Sequence, residues 1–219
     1  STYDIDNALH DDLLPLSDNT HGPYKMMPPE LLHTSGSGLI MYMFESLRYS
    51  MGGGRDRDLI DQLHIEISQQ LKRQSERDFP RGSMRNGLID GTKCQSSERK
   101  GNLFRLLCIA HTTVGSSTLK RSLSFSESKW KLFVEFLKLY LSMEEWFHDS
   151  NKKEEVRHSR EQIGNVLRML QRLFPRPPKT NGYNIPKMHG MLQMQEYMKL
   201  FGSGINFYGG PGESAHKQF

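Results

Sequence analysis

Residues Met26 to Leu47 read MMPPELLHTSGSGLIMYMFESL, four parts in strict order. An apolar lead-in, Met26 and Met27, meets two prolines, Pro28 and Pro29. An acid and a histidine follow, Glu30 and His33. A Gly/Ser spacer then leads into an apolar run, Leu39 to Leu47. Proline at the first helical position loses no hydrogen bond, because the N–H it lacks has no partner there anyway. Pro28–Pro29 therefore mark a helix start. Glu30 falls in its first turn, where the positive end of the helix dipole favours an ionised carboxylate. His33 is three residues on and shares a face with Glu30. Such a pair can hold a divalent metal or orient a proton carrier. It can equally be a helix-start charge beside a polar histidine.

The same pair recurs near the other end of the sequence. Glu213 and His216 follow Pro211 and Gly212, again after a short apolar segment. Catalysts that cut phosphodiesters hold two metal ions between carboxylates, one activating the attacking oxygen and one stabilising the leaving oxygen. Hard ions such as Mg2+ take carboxylates, water and substrate phosphate. Two acids far apart in sequence, each on a helix start at a sheet edge, could supply such a site. Glu-x-x-His also occurs in di-iron helix bundles, which add glutamates from two other helices. Glu135, Glu144 and Glu161 carry no matching histidine.

Between these ends the pattern is helical. Leu59, Ile60, Leu63, Ile67 and Leu71 recur at helical spacing, and Leu103, Leu106, Leu107, Ile109 and Ala110 suggest a largely buried helix. Ser126 to His148 is the clearest amphipathic helix, with Trp130, Phe133, Val134, Leu137, Tyr140 and Leu141 on one side. Asn151 and Glu154 form a capping pair for the next, Lys152 to Phe174. Its apolar face holds Val156, Ile163, Val166, Leu167, Leu170, Leu173 and Phe174, and Arg157, Arg160, Arg168 and Arg172 fall opposite. A Met- and Leu-rich helix follows from Lys187 to Phe201. Leu59 to Phe174 is thus predicted to be helical without strands. Tyr24 to Met27 and Ile205 to Tyr208 read as short strands, Met51 to Arg57 (MGGGRDR) as a flexible break, and Pro211 as the start of a last helix.

The 219 residues suit one large domain, or one and a half. Apolar content of 36% and a mean hydropathy of −0.64 leave little material for a core, so the long helices must supply it. Net charge is +4, compatible with nucleic acid but too small to prove it. Two cysteines, Cys94 and Cys108, build no disulfide framework and point to a reducing compartment. No apolar run nears the ~20 residues of a membrane span. The sequence starts at Ser1 and stops at Phe219 within a helix-like segment, as expected of a piece of a longer polypeptide.

The run MMPPELLHTSGSGL resembles the motif after the second acid region of cut-and-paste DNA transposases of the CACTA and Plavaka type. Their pattern is a proline, an acid, two apolar residues and a histidine, then a glycine-containing helix. IPKMHGMLQMQEYMKLFGSGINFYGGPGESAHKQF, from Ile185, resembles their closing segment: Pro-x-x-His, Phe-Gly, then Glu-x-x-His-Lys. Between the two the resemblance is loose. It implies a mainly α chain with a small α/β portion, a partial RNase H-like DDE fold interrupted by an all-helical insertion. Residues 1–50 and 185–219 then belong to the catalytic core, and 51–184 to the insertion.

The resemblance puts Glu30 at the second catalytic acid and Glu213 at the third, with His216 and Lys217 completing that motif and His189 in the Pro-x-x-His start. His33 and His216 orient the acids. The implied cofactor is Mg2+ or Mn2+. The implied partner is double-stranded DNA at transposon ends, contacted by Lys217 among others, with a homo-oligomer in the nucleus. The first acid, an aspartate, is expected upstream of Ser1, which leaves this piece inactive alone. The family usually has aspartate where this sequence has Glu30; the extra methylene moves the carboxylate by about 1.3–1.5 Å, against a tolerance of ~0.5 Å.

Other signals are weaker. Cys108-x-x-His111 with Cys94 offers three zinc ligands without a Cys-x-x-Cys pair. The methionines from Met188 to Met198 read as core packing. The arginines Arg157, Arg160, Arg168 and Arg172 read as a solvated face or as DNA-phosphate contacts. The alternative function is a catalytically inactive helical module that binds DNA or protein.

Overall fold

The computed structural model describes residues 32–74, 87–89, 94, 96–148, 156–176, 182–201 and 204. The chain is mainly helical, and among the described residues there is no strand. A π-helix, Leu32–Ile40, runs straight into α1, Met41–Met51. Then come α2 (Arg55–Gln74), α3 (Ser96–Ala110), α4 (Thr113–Ser122), α5 (Glu127–His148), α6 (Val156–Leu173) and α7 (Pro186–Phe201). The described part of Leu59 to Phe174 is helix and turn, as the three–four spacing requires. The expected strands Tyr24–Met27 and Ile205–Tyr208, the helix start at Pro28, the Asn151–Glu154 cap and the helix after Pro211 lie outside the described residues.

The helix ends have local causes. Gly52 closes α1 with φ 64°, a left-handed conformation that glycine adopts without steric cost, and its N–H donates to Arg48 O. Three glycines suffice to turn the chain, so the expected flexible break is a short connection, and α2 starts at Arg55. Asp56 and Asp58 occupy its positively polarised first turn. Asp56 accepts from Arg121 Nε at 3.2 Å and Nη2 at 2.5 Å, and from Ser122 Oγ at 2.6 Å, which ties α2 to α4. The bonds from Arg121 hold the Asp56 carboxyl below its usual range. Thr112 caps α4 by accepting from Gly115 N–H at 3.0 Å. Ser126 Oγ accepts from Lys129 N–H at 3.3 Å at the start of α5.

One apolar core runs through all these helices. It joins Leu39, Phe44 and Leu47 at one end of the sequence to Met188, Met191, Met194 and Met198 at the other. The methionines do pack in the core. α5 is its axis, burying Phe133, Phe136, Leu137, Tyr140 and Phe147 at three- and four-residue spacing. Phe174, just past α6, sets its ring tilted against Phe136 and Phe133, with centroids 5.2 Å and 5.9 Å away. α6 buries Ile163, Val166, Leu167, Leu170 and Leu173 against α5 and α7.

Two glycines of this framework respond oppositely to a methyl group. A Cβ on Gly115, in the first turn of α4, would lie 2.3 Å from Ile109 O near the end of α3. On Gly164 it would meet nothing nearer than Arg168 Nη1 at 3.6 Å, in the middle of α6. Gly115→Ala should destabilise by about 1–3 kcal/mol. Gly164→Ala should stabilise by roughly 0.5–1 kcal/mol, because alanine suits a helix interior better. Urea unfolding of the two variants checks both signs.

Candidate functional site around the π-helix

The Gly/Ser spacer expected between His33 and Leu39 is helical. Thr34, Ser35, Gly36, Ser37 and Gly38 are poor helix formers, and the segment winds as a π-helix, a rare form that recurs at functional sites. Burial among neighbours overrides propensity. The segment packs on α3 and on α7, and Thr34, Ser35, Gly36 and Gly38 are buried. Gly38 permits the closest approach: a Cβ there would sit 2.6 Å from His33 O and 2.7 Å from Lys187 Cδ.

Buried polar groups lock the π-helix in place. Ser35 donates its hydroxyl proton to Glu144 Oε1 on α5. Its Oγ lies 2.8 Å from Tyr140 Oη. A hydroxyl has one proton, so Tyr140 is the donor in that second bond. On the other side, Arg99 Nη1 donates to Gly36 O at 3.3 Å. Burial raises the Glu144 carboxyl above its ordinary value, opposed by the Ser35 bond and by Lys100. Burial likewise lifts the Tyr140 phenol well above its ordinary value, with Glu144 adding to it. Ser35 is fully buried, so the network positions backbone and does not present a nucleophile.

The residues expected at the site fall as follows. His33 is exposed near the start of the π-helix. His189 is exposed on α7, its Nε2 3.4 Å from Asn184 Oδ1. Glu30, Glu213, His216 and Lys217 lie outside the described residues. Arg168 and Arg172 are exposed on the outer face of α6, and Arg168 donates to Asn165 Oδ1. Arg157 and Arg160 belong to α6, but their side chains lie outside the described residues.

Among the described residues no three of His, Cys, Asp and Glu gather to hold a metal ion. Cys94 precedes α3 while Cys108 and His111 lie at its far end, and 15 residues of helix span roughly 20 Å, so these three do not form one site. No helix among the described residues is long and apolar enough to cross a membrane.

Sequence reasoning missed Ser35 and Glu144 as partners. A signal existed: Glu144 stands four residues after Tyr140, so an acid sits on the apolar face of α5. Compared with known proteins, the chain matches no family model, no curated protein and no solved structure.

The network predicts a pH response. The Glu144 carboxyl is raised in the folded state, so its contribution to stability is full below the unfolded value, about 4.3, and is lost as pH rises through the folded value. Ser35, Tyr140 and Lys100 face it. Glu144→Gln keeps an acceptor for Ser35 without the ionisation. It should therefore gain stability relative to the native protein as pH rises through the value of the folded carboxyl. Thermal unfolding of both proteins over a pH series should show the variant's advantage growing with pH.

Proposed function

We propose that the chain is part of the catalytic domain of a DNA transposase, with an RNase H-like core interrupted by the helices of 51–184. In this reading Glu30 and Glu213 hold Mg2+ or Mn2+, His33 and His216 orient them, and DNA strands are cut and rejoined in the nucleus. The observation that carries it is a packing relation. The segment that begins with the first motif, as the π-helix, lies directly on α7, which opens the closing motif. The two parts of the sequence with family character are thus neighbours in space. Carboxylates are the donors that Mg2+ prefers, and the metal would supply positive charge at the scissile phosphate.

Metal binding tests this without asking the piece for turnover. A calorimetric titration with Mn2+ should give a site that Glu30→Gln and Glu213→Gln each weaken by about 10–100-fold or more, since even outer partners of metal ligands have effects of that size. Native-like Mn2+ affinity in both variants would refute the assignment of these acids.

A second reading, an inactive helical module that binds DNA, draws on Arg168 and Arg172, exposed opposite the buried face of α6. It expects DNA binding without a metal. Both readings use the stripe Arg157, Arg160, Arg168 and Arg172. Replacing all four by glutamine should weaken binding to unrelated duplexes alike and flatten the salt dependence by up to about 3–4 units, near one per phosphate contact. A salt titration on two duplexes decides; an unchanged slope reduces the stripe to a solvated face.

A further inference from the structure

α5 and α6 pack on each other but leave a cleft of about 320 Å3 between them. Its floor is apolar, with Met143, Ile163 and Val166 buried. The half-buried Trp146 borders it, the indole held against the fully buried Phe147 at 5.3 Å between centroids. Leu139 borders it too and is 38% exposed. The polar lining is Ser142, Gln162 and Asn165, all exposed, and none of the lining residues is charged.

Helix pairs interdigitate until space of this kind is filled. An apolar recess kept open at the surface marks a place where something binds. The volume is at the lower end of the roughly 300–1,000 Å3 of small-molecule clefts, which suits one small ring system. A charged group would lose its water here without gaining a partner. An aromatic wall and an apolar floor take a flat ring, and the polar lining takes one whose edge donates and accepts. Those polar groups are uncommitted. The Trp146 indole N–H, the Ser142 hydroxyl and the Gln162 amide make no hydrogen bond among the described residues, and Asn165 uses only its Oδ1. Asn and Gln amides read base edges because each offers a donor beside an acceptor.

The surroundings of the cleft add a second requirement. Arg168 donates to Asn165 Oδ1, so a cation stands at the rim. Arg172 follows one turn along α6. Both are exposed and form no ion pair among the described residues. A flat uncharged ring with a polar edge, joined to an anionic backbone, is a nucleotide. Stacking on aromatic side chains beside cations is also how single strands are held.

We propose that the cleft between α5 and α6 takes one unpaired base of a DNA strand against Trp146, while Arg168 and Arg172 hold the neighbouring phosphates. DNA as the source of the base rests on the function proposed in the preceding section. The base site itself goes beyond that reading, which asks of this helix only contacts with duplex phosphates.

The test uses the full 219-residue chain with three probes: a single-stranded oligonucleotide, an abasic strand of the same length, and a duplex of unrelated sequence. The two single strands carry the same phosphates, so any difference between them reports on bases. The native chain should prefer the base-bearing strand by roughly 5–100-fold, the effect of stacking one base. Trp146→Ala should abolish that preference and Trp146→Phe should keep most of it. Gln162→Glu alters an exposed side chain and puts a charge into the cleft, so it should reduce the preference severalfold; it decides the matter if Trp146→Ala does not fold. Arg168→Gln with Arg172→Gln should weaken both strands alike, flatten the salt slope by about one to two units, and leave the preference intact. If the native chain binds duplex but takes both single strands equally, or if the folded Trp146→Ala and Gln162→Glu variants keep the full preference, the base site is refuted while the DNA reading survives. If the native chain binds none of the three probes, the base site and the DNA reading are both overturned.

Discussion

The structure depends on letting a short, poorly helical segment sit deep between other helices. Thr34, Ser35, Gly36 and Gly38 are small and buried, so α3, α5 and α7 all reach the same turn and a half of backbone. A side chain at Gly38 would collide with the chain's own carbonyl at His33 and with the stem of Lys187. Small residues at this place cost helix propensity and return close packing. The hydroxyl of Ser35 and the carbonyl of Gly36 are met from opposite sides, by Glu144 with Tyr140 and by Arg99. Buried polar groups of this kind are tolerable only when satisfied, which explains why an acid lies inside an apolar helix face.

The remaining helices make that arrangement rigid. Three rings of α5 join with Phe125 and Phe174 in a connected run, Phe125 to Phe133 to Phe174 and on to Phe136 and Tyr140. Each such pair adds about 0.5–1.5 kcal/mol beyond its area. The last ring of the run, Tyr140, is also the one bonded to Ser35, so apolar packing and the polar lock share a residue. Tyr183 donates to Phe174 O at 2.6 Å, and Ser46 donates to Pro175 O at 3.0 Å. Those two bonds fasten the end of α6 to α1 and to the start of α7, the same corner that holds Tyr42, Arg176 and Lys187.

Charge is distributed with a purpose that net charge conceals. Arg121 is neutralised by Asp56, and Lys120 by Glu127 at 2.7 Å. Arg168 and Arg172 face solvent on α6. Arg99 and Arg176 each bury an Nε without a hydrogen-bond partner among the described residues.

The sequence by itself determined the helices. Trp130, Phe133, Leu137 and Tyr140, or Ile163, Val166, Leu167 and Leu170, repeat at a spacing that one helix face imposes, and periodicity of that kind is local information. It also marked Met26 to Leu47 and the closing segment as unusual, through their prolines, acids and histidines. Only the tertiary structure decided that the Gly/Ser run becomes a π-helix, because its stability comes from partners on α3, α5 and α7 and not from its own residues. It alone joined Ser35 to Glu144 and brought Arg176 and Lys187 onto the Tyr42 ring. No spacing rule reaches across such separations. Which donors meet is set by how the helices pack, and packing is a property of the whole chain.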